Sequence, residues 1–444
     1  MTPSIRPRVS KLGIIMKKIK KTPGELLKEY SPDLPEKKAV KRMQRLAALI
    51  TFFRRIKVSY DFDPEKMKDR QLLVLSQHPS KEDPLNLIKT VNFTTPNAIM
   101  GYQNILVPVL FRQFIRCGII PKKLYIPDIE AAKNIIRLNK KGASFFVFSE
   151  GIQSMDGTAH LLDPGTVGLI KKINADTVIC RAHGAYLARP RFGKYRHGHV
   201  EYHYELLFTK EETKELGEDE IYKRLVSKFR YNDFEWNKVK QYSYGLLRNN
   251  AKGLDRILFI CPVCGKQFGL RMKGRKIVCD CGMCVKVDRK YNLIPAGNTR
   301  LPFERIDEWY RYEQKIVEDE VGREDFMLSY PADYLTLNKE KLVIGSCKKI
   351  GSGIIKLSRE TFSYEGTKEG KNVSLSFNIA GIPSAPFVAG LGNEFFYENE
   401  YYEFLMTDDR RLSVKVLMAV EALHNMKDPA RKKMQDEMDG NFNE

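Results

Sequence analysis

The chain has 444 residues, 43% of them hydrophobic and 29% charged, with a formal net charge of +20. That length exceeds one ordinary core and the composition excludes a disordered or fibrous chain, so two or three folded domains are expected. The charge is uneven: residues 1–60 carry sixteen Lys or Arg against Glu25, Glu29, Asp33 and Glu36, a bias that attracts nucleic acid or an anionic membrane face.

Residues 1–57 form the first expected unit, a basic amphipathic membrane anchor. Lys17, Lys18, Lys20 and Lys21 precede a segment, Glu36 to Val58, in which Val40, Met43, Leu46, Ala47, Ile50 and Phe53 recur at helical spacing. A helix greasy on one face and cationic on the other lies in a bilayer interface or packs on a core. The apolar runs "LGIIM" and "LAALITFF" fall short of the roughly 18 residues a spanning helix needs. With no apolar run followed by a cleavage site, the expected location is cytoplasmic, peripheral to the inner face of a membrane.

From Gln71 to Phe208 short apolar runs, "LLVLS", "NAIMGY", "ASFFVFS" and "DTVICRA", alternate with helical stretches such as "DIEAAKNIIRLNKKG" and "GTVGLIKKI". This is an α/β pattern, assigned to residues 58–250, with a polar helical linker at Glu211–Lys252. Reactive groups belong at the carboxyl ends of such strands, where His78 and Glu150 sit. A Cys-rich unit (255–292), a connecting helix (300–322), a β-rich domain of pleckstrin-homology or GRAM type with a closing helix (323–428) and a charged tail (429–444) complete the expected order. The strands of that β-rich domain begin with "KLVIG" and end with "YYEFLM".

"LLVLSQHPSKEDPL" places His78 after a buried strand and Asp83 five residues on. A neutral imidazole takes a proton from a hydroxyl at working pH, and a carboxylate on its other nitrogen selects the tautomer. The plain structural reading is a strand-end hydrogen bonder and a helix cap before Pro84. "FFVFSEGIQSMDGT" repeats the arrangement with Glu150-Gly151 after a second apolar strand.

"QHPSKEDPL" together with "FSEGIQS", about seventy residues apart, resembles the lysophosphatidate acyltransferase (1-acylglycerol-3-phosphate acyltransferase, PlsC-type) family of the glycerolipid acyltransferase superfamily. The stretch from Gln103 to Pro121 resembles that family's intermediate block, and the likeness spans roughly Lys57 to Leu207. It implies a mixed sheet flanked by helices, and transfer of a fatty acyl group from acyl-CoA or acyl-carrier protein to a lysophospholipid hydroxyl. His78 would be the general base and Asp83 its orienting group. Glu150, Gly151, Gln153, Ser154, Lys122 and Lys123 would shape the acceptor site. Where the family has Thr-Arg, this chain has Ile152-Gln153, and an amide cannot pair a phosphate by charge. Lys122, Lys123, Arg181, Arg189 or Arg191 supplies the cation instead, or the acceptor is not a simple lysophosphatidate.

"CPVCGKQFGLRMKGRKIVCDCGMCVKV" carries Cys261, Cys264, Cys279, Cys281 and Cys284. Cys-x2-Cys with a second Cys group across a hairpin is a zinc-ribbon pattern: four thiolates close a tetrahedral structural site, and two come from the last three cysteines. Lys266, Arg271, Lys273, Arg275 and Lys276 make the hairpin basic, which raises an alternative: a non-catalytic zinc-ribbon protein that binds nucleic acid or a partner. Aromatic residues are not interleaved with those cations, which argues against a single-strand platform.

Overall fold

Alternate residues of the run Leu72–Leu75 enter different cores, which shows why it forms a central strand. Leu72 and Val74 join one apolar cluster, Leu73 and Leu75 the other, and none is exposed. A strand buried on both faces needs near-continuous apolar sequence. The computed structural model describes residues 22–108, 110–163, 165–245, 250–341, 347–387 and 392–439. "LGIIM", the lysines at 17–21 and all of "KLVIG" but its lysine lie outside those residues.

The first sheet has seven strands: β1 (Arg55–Tyr60), β2 (Leu72–Ser76), β3 (Asn97–Gly101), β4 (Ile120–Lys122), β5 (Phe145–Phe148), β6 (Asp176–His183) and β7 (His199–Phe208). Their order is β1-β7-β6-β2-β5-β3-β4; only the β6–β7 pair is antiparallel, so the sheet is mixed. Helices cover both faces. The register pairs Ser76 with Phe148, which brings the two polar loops carrying His78 and Glu150 side by side. Buried Gln77 fastens that edge. Its amide donates to the Phe229 carbonyl at 3.0 Å and accepts the Ala182 N–H at 2.8 Å.

The amphipathic helix is shorter than its periodicity predicts: it spans Lys37–Ile50 and not Glu36–Val58. Thr51 closes it, its hydroxyl donating to the Ala47 carbonyl at 2.7 Å. The chain then enters β1, whose register with β7 runs from Arg55–His199 to Tyr60–Tyr204. The expected boundary at residue 57 therefore falls inside a strand. Nor is Glu211–Lys252 only a linker, since Ile221, Leu225 and Phe229 of the helix Glu218–Phe229 are core residues of the first domain.

The Cys-rich unit is a small antiparallel sheet, β8 (Arg271–Lys273), β9 (Lys276–Val278), β10 (Cys284–Val287) and β11 (Leu293–Pro295), in the order β11-β10-β9-β8. Its lead-in strip is tied to the helix Ile306–Val321. The buried Glu313 carboxylate accepts the N–H groups of Phe259 and Ile260 at 2.8 and 2.7 Å, and the Trp309 indole donates to the Ile260 carbonyl.

The last sheet is antiparallel: β12 (Met327–Leu337), β13 (Cys347–Ser358), β14 (Thr361–Lys368), β15 (Lys371–Asn378), β16 (Asn393–Tyr397) and β17 (Glu400–Met406), in the order β15-β14-β13-β12-β17-β16. It curls until the outermost strands meet through Phe377 and Phe395, 5.3 Å between ring centres. Gly353 allows the tight β13–β14 approach, since a Cβ there would stand 2.3 Å from the Glu365 carbonyl oxygen. The closing helix, Leu412–Lys427, is buried on most sides. The expected charged tail instead continues as a helix, Pro429–Asp439, that sends Met438 into the core of the first domain.

Candidate active site and metal centre

His78 leaves the end of β2 and Asp83 begins the helix Asp83–Thr90, so a five-residue turn folds the carboxylate back onto the ring. The Nδ1 to Oδ2 distance is 3.1 Å. Asp83 is fully buried and its oxygens also accept the Ser80 N–H at 2.6 Å and the Tyr202 hydroxyl at 2.8 Å. Three donors on one carboxylate fix its position. With Asp83 accepting at Nδ1, the proton sits there and Nε2 keeps its lone pair. The ring stacks on Phe148, 3.9 Å between centres, and lines a cavity of about 750 Å³.

Glu150 does not line that cavity. Its carboxylate accepts the backbone N–H of His78 at 2.8 Å and of His160 at 2.9 Å, and only 1% of the residue is exposed. Burial pushes its carboxyl up to about 7, against the downward pull of the two N–H bonds. Expected at the acceptor site, Glu150 stands behind the wall and holds the His78 loop. Gly151, at φ +66°, does reach the cavity and needs the freedom of glycine there. Ser154 is turned away, its buried hydroxyl donating to the Thr158 carbonyl. Lys122 is at the wall, 3.8 Å from Asp163, whereas Lys123 leaves it to reach Asn399 at 3.0 Å.

Cations gather beside His78 at Lys81, Arg189 and Arg191, all in the cavity wall. Burial and the neighbouring charges of Arg191, Arg189 and Arg256 lower the Lys81 ammonium to about 8, and among the described residues it has no ion-pair partner. Arg189 is paired with Glu82. Arg191 donates to the Gln153 amide oxygen at 3.2 Å and to the Phe387 carbonyl in the C-terminal domain. Arg181 is drawn off to Glu205. The opposite arm of the cavity is apolar, walled by residues such as Leu87, Ile88, Val91, Phe114 and Phe146, and it reaches Val40 and Met43 on the helix Lys37–Ile50.

One contact outside sequence reach is the His160 imidazole, 3.5 Å from the Glu421 carboxylate on the closing helix. Burial disfavours the charged ring, yet the Glu421 bond raises its pKa overall. For Glu421 burial is outweighed by the His160 bond, which lowers it. Both shifts favour an ion pair between the domains. Asp233 resembles Glu150: its carboxylate accepts the N–H groups of Gly184 and Tyr186, each at 2.9 Å, and burial pushes it up to about 7.

The sulfurs of Cys261, Cys264, Cys279 and Cys281 lie within 4.8 Å of one another. Thiolates around a zinc ion at about 2.3 Å stand about 3.8 Å apart in a tetrahedron. Cys261–Cys281 at 3.7 Å and Cys264–Cys279 at 3.9 Å match that spacing, so the donor set fits a metal such as zinc. Cys284 is not in that group of sulfurs; it belongs to β10, paired with Val278. The basic hairpin is partly neutralised, since Asp280 pairs with both Lys266 and Arg271.

No protein-family model and no curated protein matches this chain. Among solved structures it is similar to the 1-acyl-sn-glycerophosphate (LPA) acyltransferase PlsC from Thermotoga maritima. That match has 19% identity and a TM-score of 0.35, and covers 42% of this chain and 78% of that one. No helix among the described residues is long and apolar enough to cross a membrane.

Proposed function

We propose that the protein is an O-acyltransferase that moves a fatty acyl group from a thioester, acyl-CoA or acyl-carrier protein, to a hydroxyl of a lysophospholipid. The observation that carries this reading is the His78–Asp83 pair set where one cavity joins a cationic pole to an apolar arm. Nε2 of His78 takes the proton as the acceptor oxygen attacks the thioester carbon. The tetrahedral intermediate then collapses, the C–S bond breaks, and the imidazolium returns the proton to the leaving thiolate. Asp83 holds the tautomer and stabilises the imidazolium. The apolar arm takes the acyl chain. Lys81 and Arg191 face the acceptor phosphate, replacing the charge that Gln153 lacks.

The same helix that walls the apolar arm supports the membrane reading. Leu49, Phe52 and Phe53 are 75%, 72% and 83% exposed, a patch beside Lys41, Arg45 and Arg55. Exposed large apolar groups rimmed by cations suit an anionic bilayer surface. Zinc, held by Cys261, Cys264, Cys279 and Cys281, would staple the ribbon; a site closed by four thiolates has no open position for substrate.

Acyl transfer from a thioester to lysophospholipids on liposomes, native chain against His78→Ala, is the test. A loss of roughly a thousandfold in the variant, with zinc content and fold unchanged, is the expected result. Equal rates, or no transfer to any acceptor by the native chain, would overturn the reading.

A further inference from the structure

Lys81 is an amine without a counter-ion. It stands three residues after His78 on the same loop and lines the same cavity. Among the described residues no hydrogen bond or ion pair engages its nitrogen, and that nitrogen is not sealed in as the unpartnered polar atoms of Ser149 and Gln153 are. The neighbouring carboxylates are committed elsewhere: Glu82 to Arg54 and Arg189, Asp83 to His78, Ser80 and Tyr202.

Burial, then the charges of Arg191, Arg189 and Arg256, bring the Lys81 ammonium down to about 8. At pH 7.5 the neutral amine is therefore about a hundredfold more abundant here than on an ordinary lysine. A lysine desolvated and crowded by other cations is a nucleophile in waiting. The electrophile follows from the cavity, because a thioester whose carbonyl carbon is served by His78 shares that space with the flexible lysine stem. A bound lysolipid would cover the amine, its phosphate holding Lys81 as an ammonium.

We propose that Lys81 is an acylation site: when no acceptor is bound, its amine takes the acyl group from the thioester in the cavity and keeps it as an amide. The neutral nitrogen attacks the thioester carbon, the tetrahedral intermediate collapses, the C–S bond breaks, and the proton shed by nitrogen leaves with the thiolate as a thiol. The product lacks the Lys81 charge and lays the acyl chain in the cavity, so the protein caps its own site when donor outruns acceptor. This rests on the acyl-transfer reading for the thioester and adds a second fate for the acyl group, one that does not need His78 as a base.

The test is incubation of the full chain with palmitoyl-CoA alone, then hydroxylamine to strip oxygen and sulfur esters, then mass spectrometry of the intact chain and its peptides. One palmitoyl amide per chain is expected, at Lys81, formed about tenfold or more faster than at any other lysine. Its rate should level off above about pH 8, where ordinary lysines go on gaining. Lysophosphatidate should slow it by about tenfold or more, and His78→Ala should still be labelled. Preincubation with palmitoyl-CoA should remove most of the native chain's starting transfer rate and leave Lys81→Arg at its own starting rate. An unlabelled Lys81, labelling spread evenly over the lysines, or labelling that lysophosphatidate does not slow overturns the proposal. Transfer to lysophosphatidate is read on the same samples. Transfer with Lys81 unlabelled would remove this proposal and leave acyl transfer standing, whereas protected labelling without transfer would keep the amine site and remove transfer to a hydroxyl.

Discussion

Glu150 accepts the backbone N–H of His78 at 2.8 Å, so the loop after one strand is held by a carboxylate after its neighbour. Its other oxygen takes the His160 N–H, so both of these partners donate to the group and neither accepts a proton from it. In the folded chain the carboxyl keeps its proton up to about 7, while in the unfolded chain it releases it in the ordinary carboxyl range. The folded state therefore binds more protons in that window, and this stability is full at low pH and lost as pH rises through about 7. Asp233, also pushed up to about 7, acts in the same direction. Urea midpoints of the native chain should fall from pH 5 to pH 8, each group contributing about 2 to 3 kcal/mol. Glu150→Gln should flatten part of that slope, and its amide hydrogens, turned on one of the two N–H groups, should also cut acyl transfer by roughly ten- to a hundredfold. An unchanged slope in the variant would show that Glu150 does not titrate in this window.

The zinc set makes a sharp division among neighbouring cysteines. Cys281→Ser should lose the metal and lower Tm, because the ribbon has little core of its own and metal binding is part of its folding energy. Cys284→Ser should keep one metal per chain and the native Tm within about 2 °C. Metal analysis with thermal melts, before and after chelation, reads both. Loss of metal from Cys284→Ser would replace the ligand set assigned from the sulfur distances.

Why some of this was legible in sequence and some not follows from what each residue touches. "LLVLS" and "ASFFVFS" announce strands because a two-faced burial demands continuous apolar residues, and His78 and Asp83 are near enough in the chain for a turn to join them. Glu150 is different: its partners are main-chain N–H groups, one of them 72 positions away, and main-chain groups leave no mark in side-chain pattern. The helix at Lys37–Ile50 was overextended because Ile50 and Phe53 continue its spacing, while the alternation in "RIKVSY" belongs to a parallel edge strand that only β7 reveals. Spacing leaves three cysteines for two places, and the mutual approach of the sulfurs brings in Cys279 and Cys281. Arg191 is one of five candidate cations in the sequence, and its bond to the Phe387 carbonyl, 196 positions away, leaves no mark in the local pattern.

Phe52 and Phe53 give the membrane reading a direct test. Their rings meet edge to face at 5.0 Å and stand in solvent, where two large apolar groups gain nothing from the fold. Arg54, next in the chain, is not part of that face, since its side chain is 12% exposed and paired with Glu82. Burying each phenyl ring in a bilayer is worth about 1.5 to 3 kcal/mol, so Phe52→Ser with Phe53→Ser should weaken partition to anionic vesicles by a hundredfold or so. The remaining cationic part should fade as ionic strength rises from about 0.1 to 1 M. Sedimentation with vesicles measures it; native partition by the double variant would move the docking surface elsewhere.

His160 and Glu421 join the first domain to the closing helix, and their pair has a pH window of its own. The His160 pKa is raised, so its contribution is present below the ordinary imidazole value and lost as pH climbs through the raised one. The Glu421 pKa is lowered, so its contribution is present above the ordinary carboxyl value and lost as pH falls through the lowered one. Together they stabilise most strongly between the two, near pH 5 to 6. Ser384 donates to the same Glu421 oxygen at 2.6 Å, which keeps the carboxylate in place when His160 is neutral. Glu421→Gln should therefore cost about 2 to 4 kcal/mol at pH 5.5 and clearly less at pH 8.5. A double-mutant cycle with His160→Gln at each pH isolates the coupling, expected at about 1 to 3 kcal/mol at the lower value. A coupling of the same size at both pH values would mean that the contact acts by packing alone, without the charge that the two opposed shifts describe.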